Sequence, residues 1–181
     1  MGNILTSEPS VTNDLILSNK LREDANLLGD CAREKSQLSQ TMWKLGDKSQ
    51  AKQLSNEKQE LYNQMNDKNR KAAELIFHFY NKNCPSSVID LHGLRVDEAL
   101  TFLSKKVHDC SANGNNQLTV ITGIGNNSKE QTPRIKPEVI QFAQRNKITV
   151  VYTPNEGQLI LELNAVQAER HMNETSCCTI L

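Results

Sequence analysis

Apolar residues recur in two different rhythms along the chain, and the rhythm changes near Pro85. From about Lys20 to Tyr80 the spacing is helical. Leu38, Met42 and Leu45 form one stretch, and Ala51, Leu54, Leu61, Met65, Ala72, Leu75, Ile76 and Phe79 form a second with near-heptad spacing. This segment contains no Pro and almost no β-branched residue, while Gln, Lys, Glu, Asn and Leu dominate, as in helices. Gly46-Asp47 interrupts it; Asp47 suits a helix N-cap, with Gln50 placed to close a capping box. The pattern predicts two long antiparallel helices over residues 20–82, with Trp43 and Tyr62 closing the hairpin.

After a connector with Pro85, the pattern becomes βαβαββ over residues 86–164. Val88-Ile89-Asp90 reads as a short strand. Val96, Ala99, Leu100, Leu103 and Val107 line a helix with acidic Asp97 and Glu98 in its first turn. Leu118 to Ile121 reads as a buried strand, and Ile135, Val139, Ile140 and Ala143 as a helix with Pro137 in its first turn. Ile148 to Tyr152 and Leu159 to Leu163 read as a closing hairpin. The expected architecture is an α/β two-layer sandwich, with two helices on a mixed, mostly parallel four-stranded sheet, preceded by the helical hairpin. Residues 1–18, polar with Pro9, read as a flexible arm, and residues 165–181 as a tail.

The 181 residues carry 21 basic and 21 acidic side chains, so any anion-binding site must be local. No stretch is long enough to span a bilayer, and there is no secretory h-region. Five scattered or terminal cysteines, none in a Cys-x-x-Cys pair, suggest reduced thiols in a cytoplasmic protein and no zinc site. Both ends carry a lipidation pattern. Met1-Gly2-Asn3-Ile4-Leu5-Thr6 fits N-myristoylation on Gly2; Cys178-Thr179-Ile180-Leu181 fits prenylation of Cys178, with Cys177 as a neighbouring acceptor. Two lipids would anchor the protein peripherally on a cytosolic membrane face.

Candidate chemistry sits at two strand-to-helix turns. Asp90-Leu91-His92-Gly93 offers a carboxylate and an imidazole two residues apart, able to share one face of the turn. Asp90 suits accepting a proton from water or a ribose hydroxyl, or holding a metal. His92 suits orienting a phosphate or protonating a leaving oxygen. The plainer reading is that His92 caps the next helix and Asp90 bonds the turn backbone. The second turn, Thr122-Gly123-Ile124-Gly125-Asn126-Asn127-Ser128, offers bare backbone N–H groups for a phosphate, with Ser128 as a further donor. Lys129, Arg134 and Lys136 follow, and Arg95 could join from the first loop, as phosphate contacts or as a solvated basic rim. No aromatic lies among these residues, which argues against base stacking there. No metal-ligand motif stands out, and the need for a divalent metal is left open.

Asp90-Leu91-His92-Gly93-Leu94, Thr122-Gly123-x-Gly125-x-x-Ser128, Arg134-Ile135-Lys136-Pro137 and Asn155-x-Gly157 resemble, in order and spacing, the Smr (small MutS-related) domain. The hairpin, with Leu45-Gly46-Asp47, Ala51, Asn69 and Ala72-Ala73, resembles the domain of unknown function that often precedes Smr in eukaryotes. The resemblance implies nucleic-acid binding and, in several members, endonuclease activity, with some members acting on messages at stalled ribosomes. Many members carry a basic residue at the position of Ile124 and a histidine at that of Asn127. The expected function is therefore an RNA-directed endonuclease of low intrinsic activity. Asp90 and His92 would be catalytic, and Gly93, Arg95, Thr122, Gly123, Gly125, Ser128, Lys129, Arg134 and Lys136 would hold phosphate. The alternative is a non-catalytic adaptor binding RNA, ribosome or protein through the same surface, with a protein partner on the hairpin. A purely structural membrane-anchored protein is a third reading.

Overall fold

The computed structural model describes residues 9–125 and 132–163. It divides between Phe79 and Tyr80 into two compact units.

The first unit is built on helices α1 (Pro9–Lys44) and α2 (Lys48–Asn81), whose last two residues enter the second unit. The reversal between them follows from Gly46, at φ +88°. The Gly46 N–H donates to Trp43 O at 3.1 Å, and the Asp47 N–H donates to Met42 O at 3.0 Å. This pairing closes a helix on a left-handed residue and satisfies carbonyls that the last turn would otherwise leave open. Asp47 Oδ1 then accepts the Gln50 N–H at 2.9 Å and starts α2.

Small residues make the α1 side of the seam. Ser18, Ala25, Gly29 and Ala32 are buried, whereas Ile16, Leu17, Leu27 and Leu38 are exposed. A Cβ on Gly29 would sit 3.2 Å from Met65 Sδ, so the Met65 thioether packs where a side chain at Gly29 would stand. Polar contacts hold the antiparallel register: Arg22 Nη1 donates to Asn69 Oδ1 (3.0 Å), Lys68 pairs with Asp24 (2.9 Å), Lys35 with Glu57 (2.6 Å), and Ser39 Oγ donates to Ala51 O (2.7 Å).

Two expectations fail in this unit. The arm read over residues 1–18 is helical from Pro9 onward, because proline at a first helical position lacks only an N–H that needs no partner there. Trp43 does not close the hairpin; it is 61% exposed at the tip. Tyr62 is half-buried.

The second unit contains β1 (Val88–Asp90), α3 (Val96–Ala112), β2 (Gln117–Ile121), α4 (Ile135–Arg145), β3 (Thr149–Tyr152) and β4 (Gln158–Glu162). The sheet order is β1-β2-β4-β3. Strands β1, β2 and β3 run the same way, but β4 inserts between β2 and β3. Only β1–β2 is therefore a parallel pairing; β2–β4 and β3–β4 are antiparallel. The sheet is mixed as expected, but mostly parallel only in strand direction.

Its core face aligns Ile89, Val120 and Leu159 across neighbouring strands, with Leu118 opposite Leu161, and none of these side chains is exposed. Ala99 and Leu103 of α3 and Val139 and Ala143 of α4 are equally buried, and the two helices contact each other and the sheet. Each large aliphatic so removed from water contributes about 1.5–3 kcal/mol.

Three carboxylates of the hairpin are more acidic in the folded chain. Hydrogen bonds from Lys68, Lys35 and Lys71 hold Asp24, Glu57 and Asp67 below the ordinary carboxylate range. A carboxyl more acidic folded than unfolded contributes stability above its unfolded pKa and loses it as pH falls through the folded one. All three are solvent-exposed, so the effect is small and weakened by salt. Helical melts should therefore shift to lower temperature between about pH 5 and about pH 3. In a Lys35→Met/Lys68→Met variant that shift should shrink; an unchanged shift would assign the acid response elsewhere.

Candidate functional site

The parallel pairing of β1 with β2 sets the site. Asp90 lies opposite Ile121, and the Leu91 N–H continues the ladder to Ile121 O at 2.8 Å. Both strands end at the same edge, where such sheets place ligands.

In the first turn Leu91 is fully buried and anchors the backbone. Asp90 and His92, on either side of it, meet each other. Asp90 Oδ1 accepts the His92 backbone N–H at 2.9 Å and lies 2.6 Å from His92 Nδ1. A carboxylate there keeps the proton on Nδ1 and leaves Nε2 for chemistry in the cleft. The Asp90 side chain is 13% exposed and the His92 side chain 37%. Gly93 follows at φ +79°, a left-handed turn that glycine adopts without a Cβ penalty.

Two residues that sequence reasoning passed over complete this arrangement. Because β1 is an edge strand, Asp90 has a backbone edge that no strand covers. Asn81 covers it: its Nδ2 donates to Asp90 O at 2.7 Å, and its Oδ1 accepts the Asp90 N–H at 2.8 Å. The Tyr80 ring lies 3.7 Å from the His92 ring, centroid to centroid, tilted by 50°. Both stand at the end of α2, about ten residues before the motif, where helical periodicity marks only a seam.

The second turn is held by Gly157. Its carbonyl accepts the N–H of Thr122 (2.8 Å), the N–H of Gly123 (3.2 Å) and Thr122 Oγ1 (3.3 Å). The amides of Thr122 and Gly123 are therefore not bare, which corrects the expectation of a phosphate cradle built from them. Gly123, at φ +72°, instead provides clearance, since a Cβ there would lie 3.3 Å from His92 Cβ. Gly125, at φ +86°, is more tightly enclosed: a Cβ would come within 2.4 Å of the Thr132 carbonyl carbon. Gly157 itself is buried, its N–H bonded to Asn155 Oδ1 at 3.0 Å.

A cleft of about 520 Å³ opens between the turns. Tyr80, His92 and Gly93 face Thr122, Gly123 and Gly125, with Ile124 and Arg134 also on its wall. Of the residues singled out from sequence, Arg134 thus stays with the cleft, whereas Arg95 and Lys136 do not line it. Arg95 is exposed, its N–H donating to Glu98 Oε2 at 3.0 Å, and Lys136 Nζ donates to Glu156 O at 2.6 Å. Asp90 stands behind His92. Asn127, Ser128 and Lys129, and the terminal Gly2, Cys177 and Cys178, lie outside the described residues. Among the described residues no cluster of three His, Cys, Asp or Glu side chains could hold a metal, and no helix is long and apolar enough to cross a membrane.

Comparison with known proteins places these features in a family. The Smr domain model matches residues 89–158, which hold both turns and Gly157, and a domain of unknown function, DUF1771, matches residues 19–81. The chain belongs to the Smr domain family. It is 32% identical to an Smr domain-containing protein of Schizosaccharomyces pombe over 70% of its length, and 35% identical to the endonuclease NBR9 of Saccharomyces cerevisiae over 79%. It spans about three-fifths of those proteins, 62% and 61% respectively. The solution structure of the B3BP Smr domain is 35% identical over 53% of this chain and 96% of that one, with a TM-score of 0.43.

The enclosure of Gly125 gives this Smr domain a test. Gly125→Ala should lower the melting temperature more than Gly114→Ala. Gly114 has a similar φ of +73° but meets nothing within 4 Å, so its variant should cost only the backbone strain of about 1 kcal/mol. Equal losses would mean that the loop around Gly125 yields freely.

Proposed function

We propose that this Smr protein binds nucleic acid in the cleft between the two turns and cleaves a phosphodiester there, with His92 moving the proton. The observation that carries the reading is the Asp90–His92 pair, 2.6 Å apart, with its imidazole on the cleft wall beside the glycine turn. The identity to a protein named an endonuclease, across a span that includes both turns, supports the same direction.

The chemistry favours RNA. Nε2 takes the proton of a ribose 2′-hydroxyl, and that oxygen attacks the adjacent phosphorus. The bond to the 5′ oxygen breaks, and this oxygen departs with a proton from water. The products are a 2′,3′-cyclic phosphate and a 5′-hydroxyl. Asp90 holds the ring and balances the imidazolium. Arg134 attracts the phosphate. Ile124 contributes an apolar wall without charge, which fits a slow enzyme.

Cleavage of labelled single-stranded RNA tests this. His92→Ala should lower the rate by about 10²-fold or more, Asp90→Asn by less, and both should still bind. Arg134→Ala should weaken binding and reduce the salt slope by about 0.7. Undiminished cleavage by the His92 variant would remove the enzyme reading. Salt-dependent binding with no cleavage by any form would establish the adaptor, which acts on RNA, ribosome or protein through this surface.

The membrane tether belongs to the same proposal and rests on the two terminal motifs alone. Gly2→Ala combined with Cys178→Ser should move the protein from membrane to soluble fractions. A protein soluble before and after would end that part.

A further inference from the structure

We infer that the tip of the helical hairpin is a second nucleic-acid site, one that stacks an unpaired base on Trp43 and holds its phosphates with Lys44, Lys48 and Lys52. This site is separate from the cleft and does not rest on cleavage there.

Trp43 is the sole tryptophan of the chain, and it is 61% exposed. Tryptophan is enriched at interfaces, where its flat apolar body and its single N–H both find contacts. It lines a depression of about 710 Å³ between the end of α1 and the start of α2, together with Gln40, the three lysines and Ser55. The hollow is large enough for a base.

Positive charge gathers at the tip, where residues 44–52 hold three lysines and one carboxylate, Asp47. Along the shaft, Arg33, Lys35, Lys68, Arg70 and Lys71 all pair with carboxylates. Among the described residues, Lys44, Lys48 and Lys52 pair with none. The carboxylate at the tip, Asp47, is occupied in capping α2 through the Gln50 N–H. Lys48 Nζ lies instead over the indole, 5.5 Å from the ring centroid. Lys48 and Lys52 are one helical turn apart, so both ammonium groups reach the same side of the hollow.

A flat aromatic face beside unpaired lysines matches the stacking platforms that bind single strands with little sequence preference. An anionic membrane would attract the same lysines. A headgroup layer would engage only the charge and the indole, whereas a base edge also finds amide and hydroxyl partners in Gln40 and Ser55, which line the hollow. Single-stranded RNA is thus the occupant the lining favours.

Because Trp43 is the sole indole, its fluorescence reports this site alone. Titrating the full chain with a single-stranded RNA oligonucleotide should quench the emission. The affinity should fall roughly tenfold or more in Lys48→Glu/Lys52→Glu, and the salt slope should decrease by about 1.4. Trp43→Ala, followed by anisotropy of labelled RNA, should lose a similar factor, and circular dichroism should show an intact hairpin. His92→Ala should leave the quenching unchanged, which separates this site from the cleft. Emission that is unchanged while RNA binds, or quenching that survives the double reversal, would overturn the inference. So would a blue shift produced by vesicles of phosphatidylserine and phosphatidylcholine with no response to RNA.

Discussion

The pairing of Asp90 with Ile121 across β1 and β2 is the constraint on which the rest of the site depends. It ends two strands at one edge and sets an imidazole beside a glycine turn that lies some thirty residues later in the chain. A strand register is a strong constraint when one face is buried, because a one-residue slip turns every side chain over. Here Ile89, Val120 and Leu118 resist the slip, since none tolerates transfer to the outer face without losing its burial. The position of His92 is thus held by aliphatic packing several residues away as well as by its own hydrogen bonds.

Around that register, most of the site's residues are occupied in holding one another. Asn81 completes the open edge of Asp90, Asp90 fixes His92, and Gly157 O takes the amides of Thr122 and Gly123. The result is a cleft whose turns are tied to one another by hydrogen bonds, with the His92 imidazole and the Arg134 side chain on its wall. Such preorganisation suits proton transfer, which demands a fixed donor and acceptor. It also means that the glycines act mainly by removing side chains: Gly123 clears His92, and Gly125 lets the chain pass Thr132 and Pro133.

The hairpin follows a different economy. Its buried α1 positions are Ser18, Ala25, Gly29 and Ala32, so little large apolar surface is buried on the α1 side. Exposed ion pairs add modest support. Several large apolar side chains are left facing outward, Trp43 among them. That is why an apolar stripe read from Leu38 and Met42 gave the right helices and misplaced the indole.

Local signals were readable directly. Gly46 and Asp47 stop one helix and start the next through backbone and capping bonds within a few residues, and strand and helix periods follow from which positions must be buried. The pairing of Asp90 with His92 was half-readable, because two residues on one turn can share a face, but the sequence left open whether they hold substrate or each other. What only tertiary structure decided were contacts between distant segments: β4 entering between β2 and β3, Asn81 closing an edge, and Gly157 consuming the amides of the glycine turn. Periodicity records burial, which is a property of each position. Hydrogen-bond partners are chosen by whichever groups the folded chain brings within about 3 Å, and no local pattern carries that information.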